Sequence, residues 1–181
     1  VASHERYLYR GYLQIAALDM LNSRNVLRTL LWDPLEEVAT RPLALVRDNA
    51  LYCYGIDFNK NVTEVFDEEG SIAAAYDYSP YGQVASTGDL VQPVQWSSEM
   101  NDHELALVYY NYRYYNPADG RWINRDPIAE EGGWNLYGFV GSNSILETDI
   151  LGTAWSSLQT EAGAALAARQ AAEAAAKAAA R

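Results

Sequence analysis

The feature that most constrains this chain is a repeated pattern of short apolar runs separated by polar turns. One copy, which begins at Tyr54, reads YGIDFNKNVTEVFDEEGSIAAAYDYSPYGQVA. Residues 62–66 and 72–78 have the Val, Ile, Phe and Tyr content typical of strands, and the turn Asp-Glu-Glu-Gly separates them. This copy therefore predicts a β-hairpin, preceded by a second turn at residues 59–61.

The same order of strand, turn and strand occurs earlier, in LQIAALDMLNSRNVLRTLLWDPLEEVA, with its turn at residues 19–25. A shorter third copy is RYYNPADGRW, with a turn at residues 118–120. Stacked units of this kind bury side chains mainly against their neighbours. The repeats therefore predict a mainly β chain over residues 7–152 that forms part of a larger sheet and leaves open edges.

The amino-acid composition changes after Gly152, where alanine dominates. Alanine is the best helix former, Ser156 and Gln159 have the spacing of a capping box, and Glu173 precedes Lys177 by four residues. A C-terminal helix is expected over residues 157–180. This tail contains no His, Cys, Asp or Tyr, so it is not expected to be an enzymatic toxin itself.

Charge and hydropathy exclude some partners. The net charge of −11 repels phosphate backbones, which argues against a nucleic-acid partner, and no apolar run is long enough to span a membrane. The N-terminus lacks an initiator Met and a signal peptide, which suggests a fragment of a longer chain. The single cysteine, Cys53, lies in an apolar run and is expected to be a buried structural thiol.

Several of these motifs resemble the Rhs/YD-repeat family. Tyr76-Asp77 and Tyr81-Gly82 match its repeat, and residues 111–152, NYRYYNPADGRWINRDPIAEEGGWNLYGFVGSNSILETDILG, resemble its C-terminal core-associated segment. The resemblance divides the chain into YD-repeat β-hairpins (1–95), an Rhs repeat-associated core (96–152) and an alanine-rich tail (153–181).

The resemblance implies a function of enclosure. Proteins of this family wind their repeats into a secreted or cell-surface β-shell that encloses a toxic C-terminal polypeptide, and the core segment rolls inward as a plug. The expected partners are thus the chain's own N-terminal repeats and the enclosed polypeptide. In several members an aspartyl self-cleavage then frees that polypeptide just after the core.

Carried over by motif, the catalytic residues are Arg125, Asp126 and Asp149, and the cleavage site is Thr153-Ala154. Two carboxylates brought close together do not both ionise easily, so one can donate a proton while the other accepts one from water. An adjacent Arg can orient a carboxylate or stabilise an oxyanion. Such a single-turnover protease needs no cofactor and no metal.

The chain departs from the family pattern beside the expected cut. Ser144 stands where Asn-Pro is usual, Ile150 replaces a Pro, and Thr153 replaces a Leu. Pro fixes the backbone and Leu fills a pocket better than Thr, so slow or absent cutting is expected. Without the resemblance, a solvated surface turn is the favoured interpretation of Arg-Asp-Pro.

Other constellations point to further alternatives. Asp102-His103-Glu104 could suggest a metal site, although consecutive polar residues in a turn usually face solvent. The Tyr-rich stretch of residues 109–115 fits either a carbohydrate- or cell-binding face or packing between strands. Three hypotheses result: a structural shell plug with a degenerate cleavage site, an active self-cleaving peptidase, and a surface binding module.

Overall fold

The computed structural model describes residues 3–34 and 41–157. Antiparallel strands dominate this part of the chain, as the repeats predict. The first eight form one sheet whose order follows the sequence, so each strand pairs with the next. They are β1 (Glu5–Arg10), β2 (Leu13–Asp19), β3 (Asn25–Trp32), β4 (Pro42–Arg47), β5 (Ala50–Ile56), β6 (Val62–Phe66), β7 (Ile72–Tyr78) and β8 (Val84–Gly88).

Acidic and amide side chains close the predicted turns. Between β6 and β7, Asp67 Oδ1 accepts hydrogen bonds from the backbone N–H groups of Ser71 (2.7 Å) and Glu69 (3.1 Å). Between β5 and β6, Lys60 has φ of 63°, and Asp57 Oδ1 accepts a hydrogen bond from the Asn61 N–H at 2.8 Å. The polar punctuation of the repeat therefore fixes each turn through local hydrogen bonds.

One face of this sheet carries the first core cluster. It contains Leu30, Leu45, Val62, Val65, Ala74, Tyr76 and Val94, with Tyr52 and Tyr54 packed against it. Side chains alternate between the two faces of a strand, so the residue between these two tyrosines points away from the cluster. Cys53 is that residue and is exposed, so the prediction of a buried thiol is wrong.

A second, smaller sheet comes after the first one in the chain. Its strands are β9 (Met100–Asp102), β10 (Leu107–Tyr109), β11 (Tyr114–Asn116) and β12 (Arg121–Trp122), and their antiparallel pairing again follows sequence order. The second core cluster contains Trp96, Val108, Tyr110, Tyr115, Trp122, Phe139 and Val140. Tyr78 packs against both clusters, which ties the two sheets together.

The described chain ends in a two-stranded sheet of β13 (Glu147–Asp149) and β14 (Trp155–Ser157). The helix expected over residues 157–180 lies almost entirely outside the described residues. Within residues 3–34 and 41–157, the structure contains no helix with the length and apolar character to cross a bilayer.

Candidate self-cleavage site

A buried arginine organises the site. Arg113 lies in the turn between β10 and β11, where its carbonyl accepts a hydrogen bond from the Tyr110 N–H at 2.9 Å. Its guanidinium carbon lies 4.1 Å from the centre of the Trp122 ring, in a cation–π contact, and only 3% of its side chain is exposed. The second aromatic cluster therefore holds a charged group out of water, which requires partners of opposite charge.

Those partners are the two aspartates selected by the sequence. Arg113 Nη1 lies 2.9 Å from Asp126 Oδ2, and Nη2 lies 3.2 Å from Asp149 Oδ2. Its third nitrogen, Nε, donates a hydrogen bond of 2.6 Å to the Gly152 carbonyl. A single guanidinium therefore joins both carboxylates and the segment that leads to the expected cleavage site.

Asp126 is held by the Asp-Pro turn of the RDP motif. Its N–H donates to the Leu136 carbonyl at 3.0 Å, and its Oδ1 accepts the Ile128 N–H at 2.9 Å. Burial raises the pKa of Asp126, while the Ile128 N–H and Arg113 act in the opposite direction. The turn leaves Oδ2 directed toward Arg113.

Asp149 ends β13 and caps the loop after it. Its Oδ1 accepts three backbone N–H bonds, from Leu151 (3.2 Å), Gly152 (2.8 Å) and Thr153 (3.1 Å). Burial raises the pKa of this carboxyl to about 6, against the opposing effects of Arg113 and the three N–H donors. Asp149 thus positions the backbone up to the expected cleavage site.

The missing side chain of Gly132 allows a close approach at the same point. A Cβ added there would collide with Asp126 Oδ2 and would lie 2.8 Å from the Thr153 carbonyl oxygen. The carboxylate of Asp126 and the carbonyl of the expected scissile bond are therefore both in contact with Gly132. This contact explains why the sequence has a glycine in the loop after Arg-Asp-Pro.

A third buried acid, Glu99, is close enough to Asp149 to be affected by its charge. Glu99 is 5% exposed, and its Oε1 has no hydrogen-bond partner among the described residues. Burial raises the pKa of Glu99 well above its usual value, and the charge of Asp149 raises it further. Burial therefore favours the neutral form of Glu99 over its carboxylate.

The structure brings together Asp126, Asp149 and Thr153, but not Arg125. The Arg125 guanidinium is more than half exposed and lies 3.8 Å from Glu130 at the surface, away from the expected contact with the site. Arg113, which the sequence reasoning missed, occupies the central position. The sequence feature that could have identified Arg113 is its position within the Tyr-rich run NYRYYNP. A charged residue in such an apolar neighbourhood is expected to be buried and paired with an opposite charge.

The remaining candidate residues lie outside this site. His103 and Glu104 are exposed. Tyr110 and Tyr115 are fully buried in the second cluster, and the rings of Tyr109 and Tyr114 pack at 5.0 Å. These tyrosines therefore serve the packing between strands.

The chain is similar to parts of known toxin proteins. It is 30% identical over 146 residues to toxin subunit YenC2 of Yersinia entomophaga, which covers 76% of this chain and 14% of that protein. It is also 38% identical over 83 residues to double-stranded DNA deaminase toxin A of Burkholderia cenocepacia, covering 42% of this chain and 6% of that toxin. The chain thus corresponds to a small part of these relatives.

Solved structures show the same fold. The crystal structure of TcdB2-TccC3 superposes with a TM-score of 0.65 at 25% identity, covering 82% of this chain and 8% of that one. The sequence profile of the Teneurin YD-shell family matches residues 25–145. Since this match includes more than half of the sequence, the chain belongs to the Rhs/YD-shell family.

Proposed function

We propose that this chain is the closing segment of a β-shell that encloses a C-terminal polypeptide. The observation that carries the proposal is the open eight-stranded sheet. In the described part of the chain, β1 and β8 each pair on one side only, and β1 exposes Tyr7, Leu8 and Tyr9 by more than 40% each. An unpaired edge with exposed apolar side chains fits a sheet that continues into further strands.

The core segment supports the role of a plug. Residues 96–152 pack an aromatic cluster against the end of the sheet, and they lead the chain through the Arg113 site before the alanine-rich tail begins. In this proposal, which the likeness to toxin subunits supports, the tail and any chain beyond it form the enclosed segment. The proposed location is secreted or at the cell surface.

Protease protection in the full-length protein tests this role. The intact shell should shield a tag placed after residue 181 from a large protease, and mild denaturant should expose the tag. A tag placed before β1 in the same protein serves as the control for general protease access. Equal digestion of the C-terminal tag with and without denaturant would refute enclosure.

A second proposed activity is self-cleavage at the Thr153–Ala154 bond. It is supported by the convergence of both carboxylates on Arg113 and by the contact of Asp126 and the Thr153 carbonyl with the same glycine. The scissile bond is part of the same chain, so its effective concentration is high and no substrate pocket is needed.

The reaction needs one base and one acid. Asp126, as carboxylate, takes a proton from a water molecule whose oxygen adds to the Thr153 carbonyl carbon. The Arg113 guanidinium stabilises the negative charge of the site as the tetrahedral intermediate forms. Asp149, in its protonated fraction, gives a proton to the Ala154 nitrogen as the C–N bond breaks. The products are a Thr153 carboxyl group and a free Ala154 amine.

Intact-mass spectrometry on Asp126→Asn and Asp149→Asn tests these roles. Each change should reduce the rate of cleavage by about a hundredfold or more, because an amide neither accepts nor donates the required proton. Asp89→Asn, which alters an exposed carboxylate on the loop after β8, is the matched control and should cut like the parent. Cutting that survives either active-site change would remove the peptidase proposal and leave a structural plug.

A further inference from the structure

The chain on the downstream side of the expected cut is also held in place. β14 pairs with β13 in antiparallel register, with Asp149 opposite Trp155 and Glu147 opposite Ser157. The chain therefore reverses direction over residues 150–154, and the Thr153–Ala154 bond lies in that reversal. Asp149 and Trp155, the first residue of β14, are therefore direct neighbours across the hairpin.

The indole of Trp155 rests on a glycine seat. A Cβ added to Gly141 would lie 3.3 Å from Trp155 Cζ2 and 3.5 Å from Cη2. Gly141 has φ of 58°, a conformation that suits glycine, and it follows Val140, which is buried in the second core cluster. The seat for the indole is thus anchored in the core.

We infer that β13 and the Gly141 seat form an exit clamp, which grips Trp155–Ser157, positions the scissile bond from its downstream side, and retains the new N-terminus after cleavage. This inference rests on the proposed self-cleavage at Thr153–Ala154.

The Thr153–Ala154 bond is held from both its upstream and its downstream side. Upstream, Asp149 and Arg113 hold the backbone of residues 151–153. Downstream, strand pairing supplies main-chain hydrogen bonds and Trp155 supplies an apolar contact, the combination by which extended peptides bind to sheet edges. A bond fixed on both sides has little freedom to rotate away from the carboxylates, so Trp155 is a positioning residue.

The clamp also predicts the fate of the cut chain. Breaking the Thr153–Ala154 bond leaves the β13–β14 pairs and the contact of Trp155 with Gly141 intact, because both join the downstream strand to residues upstream of the cut without using that bond. The released segment therefore remains bound without a covalent link until it is pulled or unfolded. Cleavage and release become two separate steps.

The test uses Trp155→Ala and Trp155→Phe in the full chain, with Trp134→Ala as the control because Trp134 is 94% exposed. Hydrogen exchange of the amides of residues 154–158 reports the clamp without any need for cleavage. Exchange should become at least about tenfold faster in Trp155→Ala, be partly restored in Trp155→Phe and stay unchanged in Trp134→Ala. Unchanged exchange in Trp155→Ala would overturn the clamp.

The rate of cleavage and native mass spectrometry of the cut protein test the positioning and retention roles. Cleavage should be roughly ten- to a hundredfold slower in Trp155→Ala and partly restored in Trp155→Phe, because the scissile bond loses and regains its downstream anchor. The fragment starting at Ala154 should stay bound in the cut parent and dissociate in the variant. Equal rates in Trp155→Ala and Trp134→Ala, or equal retention, would overturn the inference. If no variant cuts while the exchange results hold, the proposed self-cleavage and the positioning role fail, and the grip on Trp155 stands.

Discussion

Replacement of Arg113 by Met should be among the most destabilising single changes at this site. Methionine keeps much of the length and apolar contact of the side chain while removing its charge and its hydrogen bonds. Asp126 and Asp149 would then be buried without their shared cation, and the Gly152 carbonyl would lose its donor. Breaking a buried ion pair by removing one partner costs about 3–5 kcal/mol.

That cost is large for a chain of this size. One kcal/mol shifts the melting temperature of a domain of 150–250 residues by roughly 2–4 °C. The variant should therefore melt roughly 6–20 °C below the parent at pH 7. Arg125→Met is the matched control, since its pair with Glu130 is long and solvent-exposed and surface pairs contribute at most about 1 kcal/mol.

The pH dependence of this loss provides a second check. Without Arg113, the pKa values of both aspartates in the folded state should rise further, because its charge lowers both of them. When the pKa of a carboxyl is higher in the folded than in the unfolded state, the free energy of unfolding decreases as the pH rises between those two values. The deficit of Arg113→Met should thus be small below about pH 4 and largest at neutral pH.

Chemical denaturation with urea at pH 4 and pH 7, alongside thermal melts, measures both quantities. Equal stability of Arg113→Met and Arg125→Met at pH 7 would refute the reasoning, as would a deficit that does not shrink on acidification. Arg113→Lys should recover only part of the loss, since an ammonium group cannot form three hydrogen bonds in the plane of a guanidinium.

Three further predictions concern neighbouring groups. Cleavage should accelerate as the pH falls from 8 to 6, since the protonated fraction of Asp149 grows as the pH approaches its pKa of about 6. Time courses of cleavage at both pH values measure this. A faster rate at pH 8 would contradict the role of Asp149 as the acid. Glu99→Gln should raise the free energy of unfolding at pH 8 and leave it unchanged below pH 4, because burial raises the pKa of Glu99 and makes its ionisation costly in the folded state. Urea titrations should show that the stability of the variant depends less on pH than that of the parent. An unchanged pH dependence would refute this account. Gly132→Ala should displace Asp126 or the Thr153 carbonyl and slow cleavage by about tenfold or more, and mass spectrometry showing a parental rate would contradict the close approach at Gly132.

Local patterns in the sequence predict the sheet well. The turn residues between β5, β6 and β7 form short-range hydrogen bonds, so their identity alone fixes each hairpin, and strands at 62–66 and 72–78 have the predicted bounds. The burial of Cys53 was predicted wrongly because an apolar run does not reveal which face of a strand a side chain takes. Its neighbours Tyr52 and Tyr54 point toward the core, so Cys53 points to solvent.

The site was only partly predictable. The two aspartates were selected through the resemblance to the family's motifs. The choice between Arg113 and Arg125 depends on how β10 and β11 pack against Trp122, which is a long-range contact. Adjacency to Asp126 favoured Arg125, whose side chain points to solvent. The pairing of β13 with β14 likewise depends on register between segments, for which the short run Trp155–Ser157 carries little local signal.

The most direct test of the central claim, that Asp126 and Asp149 cut the chain after Thr153, is an intact-mass time course on the parent, Ile150→Pro, and Ile150→Pro combined with Asp149→Asn. In the described part of the chain the Ile150 N–H donates no hydrogen bond, so proline removes none and stiffens the turn beside the scissile bond. The account predicts a slow or undetectable cut in the parent, faster accumulation of a fragment starting at Ala154 in Ile150→Pro, and none in the combined variant. An Ile150→Pro protein that folds and stays whole, or a fragment that persists with Asn at position 149, would contradict it.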